Sequence, residues 1–266
     1  MSGSERRLSV HPLTVRAVHD CINQFAPFET AEAYDNVGLL VGGWDNPVNS
    51  ILCTLDVTTA TVEEAKNLGA ELIVSHHPLM FHGRKTLILG DPEADTIRAL
   101  IMNGISLIAA HTNWDQSVLS GSASSAEAIG VTGLRQEGYL FTGDLPAPMT
   151  ADQVKNLIEA RIDAPVRMYG SGSSVITTMS FGGGAFGEGY QAALAAGSQA
   201  YLTGEIRHHE IIDAIARGLV IYDAGHYASE APMIPRLIRY LKENLPGDSS
   251  VGIYESACLP FIGALL

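Results

Sequence analysis

The chain has 266 residues, with 16 Lys and Arg against 29 Asp and Glu, a formal charge of −13. That acidity excludes a general nucleic-acid binder and a protein that docks on anionic membranes, and 46% apolar with 17% charged residues excludes a disordered chain. No apolar run reaches transmembrane length, and residues 1–10 are polar, with Arg6 and Arg7 and no apolar h-region, so neither a membrane helix nor a signal peptide is expected.

Residues 14–25 place Val15, Val18, Ile22 and Phe25 at helical spacing and predict an amphipathic helix. Residues 38–42 and 51–57 read as strands. Residues 59–68 read as a helix, with Thr61 and Glu64 as its capping box and Gly69 as its stop. A strand over 72–75, a helix over 94–103 ended by Gly104, and a strand over 105–110 follow. Residues 122–129 form a small-residue helix, and 150–161 a helix opened by Thr150 and Gln153. Next come a strand over 175–181 running into Gly182-Gly183-Gly184, a helix over 188–196, and a strand over 200–203. A helix over 208–217 and a strand over 219–223 precede a last helix over 231–244 and an edge strand over 251–255. The widely separated Cys21, Cys53 and Cys258 form no C-x-x-C pair. They predict a reducing, cytoplasmic setting and three small buried apolar side chains.

The alternation predicts an α/β fold with mostly parallel sheets. It also carries a weak repeat. Gly69 precedes a strand that ends at His76-His77, and Gly197 precedes one that ends at Gly204-Glu205. Gly104 leads to His111 and Asp115, and Gly218 leads, one residue later, to His226 and Glu230. The expected architecture is two similar α/β lobes facing across a central metal-containing cleft. Residues 1–130, joined by 231–266, form one lobe and 131–230 the other. Polar groups at strand carboxyl ends are where ligands bind in open α/β sheets.

Four histidines and two carboxylates at these tips form a ligand inventory suited to zinc, iron or manganese. His76 and His77, leaving a strand in opposite directions, each suit a separate ion. The i, i+4 pairs His111/Asp115 and His226/Glu230 share a face if each opens a helix. A carboxylate can bridge two cations, so the pattern suggests two ions with open positions for water or substrate.

Five strings resemble signatures of the Nif-three-like family, the GTP cyclohydrolase I type 2 homologues. They are Ser75-His76-His77-Pro78-Leu79-Met80-Phe81, His111-Thr112-Asn113-Trp114-Asp115, the segment 34–42 around Asp35-Asn36-Val37-Gly38, Thr203-Gly204-Glu205, and Gly225-His226-Tyr227-Ala228-Ser229-Glu230. The resemblance implies two divalent metal cations per subunit held by His76, His77, Asp115, His226 and Glu230, with Glu230 as the bridge. It also implies a toroidal homohexamer, the short form of the family, and a last helix packed on the first lobe. Trp114 and the stretch after Asp115 depart from the family pattern, a difference that bears on the substrate pocket rather than on the metal ligands.

The function expected from this is a dinuclear metal-dependent hydrolase that opens the guanine ring of GTP with metal-activated water, acting on a small molecule, a nucleotide. The alternatives are a hydrolase of other, damaged nucleotides or phosphoesters, and a non-catalytic metal-binding or interaction protein. Glu205 and His111 are the candidate proton-moving, catalytic residues. Each has a plain alternative, Glu205 as a helix N-terminal acid and His111 as a buried structural group. His208, His209 and Glu210 look ligand-like but fall inside a helix. The glycine run 182–184 is a weak phosphate-approach signal. His82, Arg84 and Lys85 offer a meeting point for an anion. His11 and His19 read as surface residues.

Overall fold

A computed structural model describes residues 12–246 and 251–258. The expectations for residues 1–10 and His11 lie outside them. The described chain forms two compact units. One holds residues through Ala110 together with Ile238 to Cys258, and the other holds His111–Leu237.

The first unit opens with α1 (Val15–Phe25), whose N-cap Thr14 accepts from Ala17 N and whose apolar face buries Val15, Val18 and Ile22. Then come β1 (Gly38–Val41), β2 (Ser50–Thr54), α2 (Thr59–Leu68), β3 (Leu72–Ser75), α3 (Pro92–Asn103) and β4 (Ser106–Ala109). The second unit holds α4 (Thr112–Asp115), α5 (Gly121–Ile129), β5 (Thr132–Glu137), β6 (Leu140–Thr150), α6 (Ala151–Ile162), β7 (Arg167–Tyr169), β8 (Val175–Gly182), α7 (Tyr190–Ala195), β9 (Ala200–Thr203), α8 (His208–Ala216), β10 (Val220–Asp223) and α9 (His226–Glu230). The boundary runs within α10 (Met233–Asn244), and β11 (Gly252–Glu255) closes the described chain.

The expected repeat is present as topology. The first sheet has the order β1-β4-β3-β2-β11 and the second β5-β6-β8-β9-β10-β7. In each, three successive strands joined by helices lie parallel side by side: β2, β3 and β4 in one, β8, β9 and β10 in the other. The strand preceding each trio, β1 or β7, crosses to pair antiparallel with its last member. The four connecting helices end at glycines with positive φ, namely Gly69 (66°), Gly104 (66°), Gly197 (78°) and Gly218 (84°). After each glycine the next N–H bonds back to the helix: Ala70 to Ala65 O, Ile105 to Leu100 O, Ser198 to Ala193 O and Leu219 to Ala214 O. This is the Schellman stop that favours glycine because no Cβ opposes the left-handed conformation. A second repeated device sits two residues on. The Glu71 carboxylate accepts from Asn49 N and Ser50 N beside β2, and Gln199 Oε1 accepts from Thr177 N and Thr178 N on β8.

Several expectations are corrected. The first sheet is mostly parallel, but the second is mixed, because β5 pairs antiparallel with β6 and β6 with β8. This hairpin escaped the sequence reading for physical reasons. Every residue of β5 is exposed, which leaves no apolar alternation, and β6 contains Pro146 and Pro148 where its register with β8 shifts. The first boundary falls at Ala110/His111 rather than after residue 130, because Ala123, Ala126 and Ile129 of α5 join Phe141, Met179 and Phe181 in the second unit's core. The α2 capping box is Thr58 with Thr61, not Thr61 with Glu64. Glu64 instead accepts from Ser256 Oγ and Ala257 N, next to β11. Cys21 and Cys53 are buried, but Cys258 is only partly so. His19 is no plain surface residue. It is partly buried and stacks on Phe28 at 4.4 Å between ring centroids. Among the described residues no helix is long and apolar enough to cross a membrane.

Candidate metal centre

Each candidate ligand stands where a strand of one of the trios ends. In the first unit, β3 runs into His76 and His77, whose backbone N–H groups extend the sheet to Thr54 O and Leu55 O. His76 is fully buried and His77 partly so. His76 Nδ1 lies 2.9 Å from Ala110 O, and His77 Nδ1 lies 2.9 Å from Asp56 Oδ1. A carbonyl or carboxylate oxygen can only accept, so both imidazoles carry their proton on Nδ1 and present the Nε2 lone pair. Asp56 was missed in the sequence. Its signal was available, since it is the acid that follows a buried strand end, two residues beyond β2.

In the second unit, His111 caps the single turn of α4, with its N–H on Asn113 Oδ1, and Asp115 closes that turn with N–H to His111 O at 2.9 Å. The departure Trp114 is structural: its ring is fully buried and Nε1 donates to Leu119 O. His226 and Glu230 begin and end α9, a helical turn not expected from the sequence, in which the i, i+4 spacing puts them on one face. His226 Nδ1 lies 2.6 Å from Glu205 Oε1, and its Nε2 lies 3.2 Å from Glu230 Oε2. With Nδ1–H given to Glu205, Nε2 and a carboxylate oxygen face each other as two electron-rich atoms. A cation, or a second imidazolium proton, satisfies that arrangement.

Glu230 is buried in a wall of glycines. A Cβ on Gly121 would stand 2.8 Å from Glu230 Cα, and one on Gly184, at φ 63°, would run into Glu230 Oε1 and lie 3.4 Å from His226 Nε2. The glycine run 182–184 therefore makes room for α9. The N–H groups of Gly183 and Gly184 donate to Ser122 Oγ and Ser229 Oγ, so they are not offered to a phosphate. His208 and His209 are exposed at the start of α8, while Glu210 is buried and accepts from Arg207 N. Arg84 is held by Asp91 at 2.8 Å and Glu93 at 2.7 Å. A cavity of about 390 Å³ in the second unit is lined by Glu205 with Arg167, Tyr169, His208 and Asp223.

The histidines and acids of metal-ligand type at these strand ends are His76 and His77 in the first unit and His111, Asp115, His226 and Glu230 in the second. Imidazole with carboxylate is a donor set for zinc, iron or manganese. Metal-binding histidines characteristically give their second nitrogen's proton to a carboxylate or carbonyl, as His76, His77 and His226 do here.

The chain resembles known proteins over most of its length. A match to the family Duf34/NIF3 (NGG1p interacting factor 3) spans residues 13–259. A Clostridium perfringens protein named GTP cyclohydrolase 1 type 2 homolog is 33% identical over 251 residues, covering 90% of this chain and 95% of its own length. A Streptomyces coelicolor protein of the same name is 33% identical over 221 residues, covering 77% of this chain and 78% of that one. The crystal structure of a Staphylococcus aureus hypothetical protein superposes with a TM-score of 0.85 at 25% identity, covering 93% of this chain and 97% of that one.

Proposed function

The chain belongs to the Duf34/NIF3 family, and from that premise we propose that it is a divalent-metal-dependent hydrolase acting on a nucleotide, with hydrolytic opening of the GTP guanine ring and release of formate as its reaction. The supporting observation is that His76, His77 and His226 each give an Nδ1 proton to an oxygen acceptor, leaving Nε2 as the donor atom. His76, His77, Asp115, His226 and Glu230 would hold two divalent cations. When bound, such cations supply Lewis acidity that makes water nucleophilic near neutral pH.

The chain's other groups have separate tasks. Ala110 O and Asp56 fix the rings of His76 and His77. Glu205 holds His226 through Oε1 and lines a cavity in the second unit, and it is the first candidate for moving protons. His111 is the second candidate for moving protons. In this reading the protein works in the cytoplasm as a homohexamer, and sedimentation velocity of the purified chain tests the assembly.

The test of function is formate release from GTP by the manganese- or zinc-loaded protein. We expect turnover that falls at least 100-fold, by about 2.7 kcal/mol or more of barrier, in His76→Ala. Phosphate without formate would move the protein to the phosphoester hydrolases. Stoichiometric metal with no turnover of a nucleotide panel would make it a metal-binding protein without this chemistry.

A further inference from the structure

We propose that Asp56 is a positioning residue for the metal centre: it holds His77 in the Nδ1–H tautomer and so keeps Nε2 ready to bind a cation. The geometry is direct, with His77 Nδ1 2.9 Å from Asp56 Oδ1. The Asp56 side chain is 39% exposed and that of His77 22%, so the carboxylate is partly screened by water and the directed hydrogen bond is the stronger part of its effect.

The main chain around Asp56 separates this role from folding. The Asp56 carbonyl accepts from Thr54 Oγ1 at 3.0 Å and from Thr61 Oγ1 at 3.3 Å, which ties the end of β2 to the first turn of α2. Those bonds use the backbone and survive loss of the side chain. The carboxylate is therefore left to His77.

The repeat supports the same assignment. His77 lies eight residues after Gly69, and Glu205 lies eight residues after Gly197. In the first unit that position is the histidine, braced by an acid beyond the neighbouring strand β2. In the second unit it is the acid, bracing His226 beyond the neighbouring strand β10. Each unit thus builds one imidazole–carboxylate pair at adjoining strand ends, the acid first and the histidine 21 residues later, with the second pair set one strand further along its trio. Without an acceptor at Nδ1, a neutral imidazole redistributes its proton toward Nε2, the atom a cation needs unprotonated.

The inference rests on the metal-dependent reading, and its test keeps the two apart. Full-length wild type, Asp56→Ala and Asp56→Asn are compared in three measurements: ¹⁵N shifts of the His77 ring in metal-free protein, assigned with His77→Asn; competition titration with Zn²⁺ and Mn²⁺; and melting of the metal-free form. We expect Asp56→Ala to move the His77 proton toward Nε2 and to weaken metal binding roughly 10–100-fold, with melting nearly unchanged. Asp56→Asn, which keeps an acceptor but no charge, should fall between. An unchanged tautomer in Asp56→Ala, unchanged metal affinity, or a loss of melting temperature with neither of the other effects would overturn the proposal. If wild type takes up no metal, the hydrolase reading fails, while the tautomer shift still decides whether Asp56 sets the ring.

Discussion

Three imidazoles with their Nδ1 protons taken by Ala110 O, Asp56 and Glu205 are the finest-grained property of this chain. The histidines and acids could be read from the sequence, because a polar cluster stands out at the end of an apolar strand. Their tautomers could not, since Asp56 is 21 residues from His77 and Glu205 is 21 from His226. Only the adjacency of parallel strands brings them together. Gly184 was likewise hard to read: its reason for being glycine is Glu230, far along the chain. Gly184→Ala should both strain a backbone at φ 63° and displace the Glu230 carboxylate. We expect a loss of about 1–3 kcal/mol in denaturant unfolding, together with reduced metal uptake. Glu71 offers a pH prediction. Partial burial raises its pKa, but the Asn49 side chain and the N–H groups of Asn49 and Ser50 outweigh this and hold it below the usual carboxylate range. The stability this lends is present above the normal carboxylate pKa and is lost as pH falls through the depressed value. Glu71→Gln should therefore destabilise by about 1 kcal/mol at neutral pH, with the gap to wild type closing as urea melts are taken into acid.

At the level of elements, the helix–strand pairs of the two trios were the legible part, because each helix ends in a glycine and each strand is a short apolar run. The expected and observed bounds of β3 and β9 coincide at 72–75 and 200–203. The β5–β6 hairpin and the three-residue β7 were illegible, since exposure, proline and brevity erase the period that identifies a strand. The glycine stops allow a clean measurement. A Cβ at Gly69, Gly104, Gly197 or Gly218 meets no atom within 4 Å, so replacement by alanine changes only the backbone term. Each such variant should lose about 1 kcal/mol by thermal or denaturant unfolding, and asparagine at the same positions should lose less. A loss well above this would mean that the glycines have a packing role as well.

On the scale of the whole chain, an acidic protein with a formal charge of −13 is a natural host for cations, and binding them to the folded state alone must raise its stability. Removing metal with a chelator should lower the melting temperature. Restoring it at about 100 times its Kd should return about 2.7 kcal/mol, and an absence of any shift would count against the proposed function. The glycine stops also divide the chain into rigid and elastic lengths. Between Gly69 and His76, and between Gly197 and Gly204, the same number of residues separates the stop from the tip. Side chains alternate faces along a strand, so deleting or inserting one residue in such a span would turn the tip toward the opposite face, even if every apolar residue were kept. The exposed stretch 85–90 carries no such constraint. A scan of single-residue deletions should therefore read as a ruler laid along the chain, intolerant from each stop to its tip and permissive in that loop.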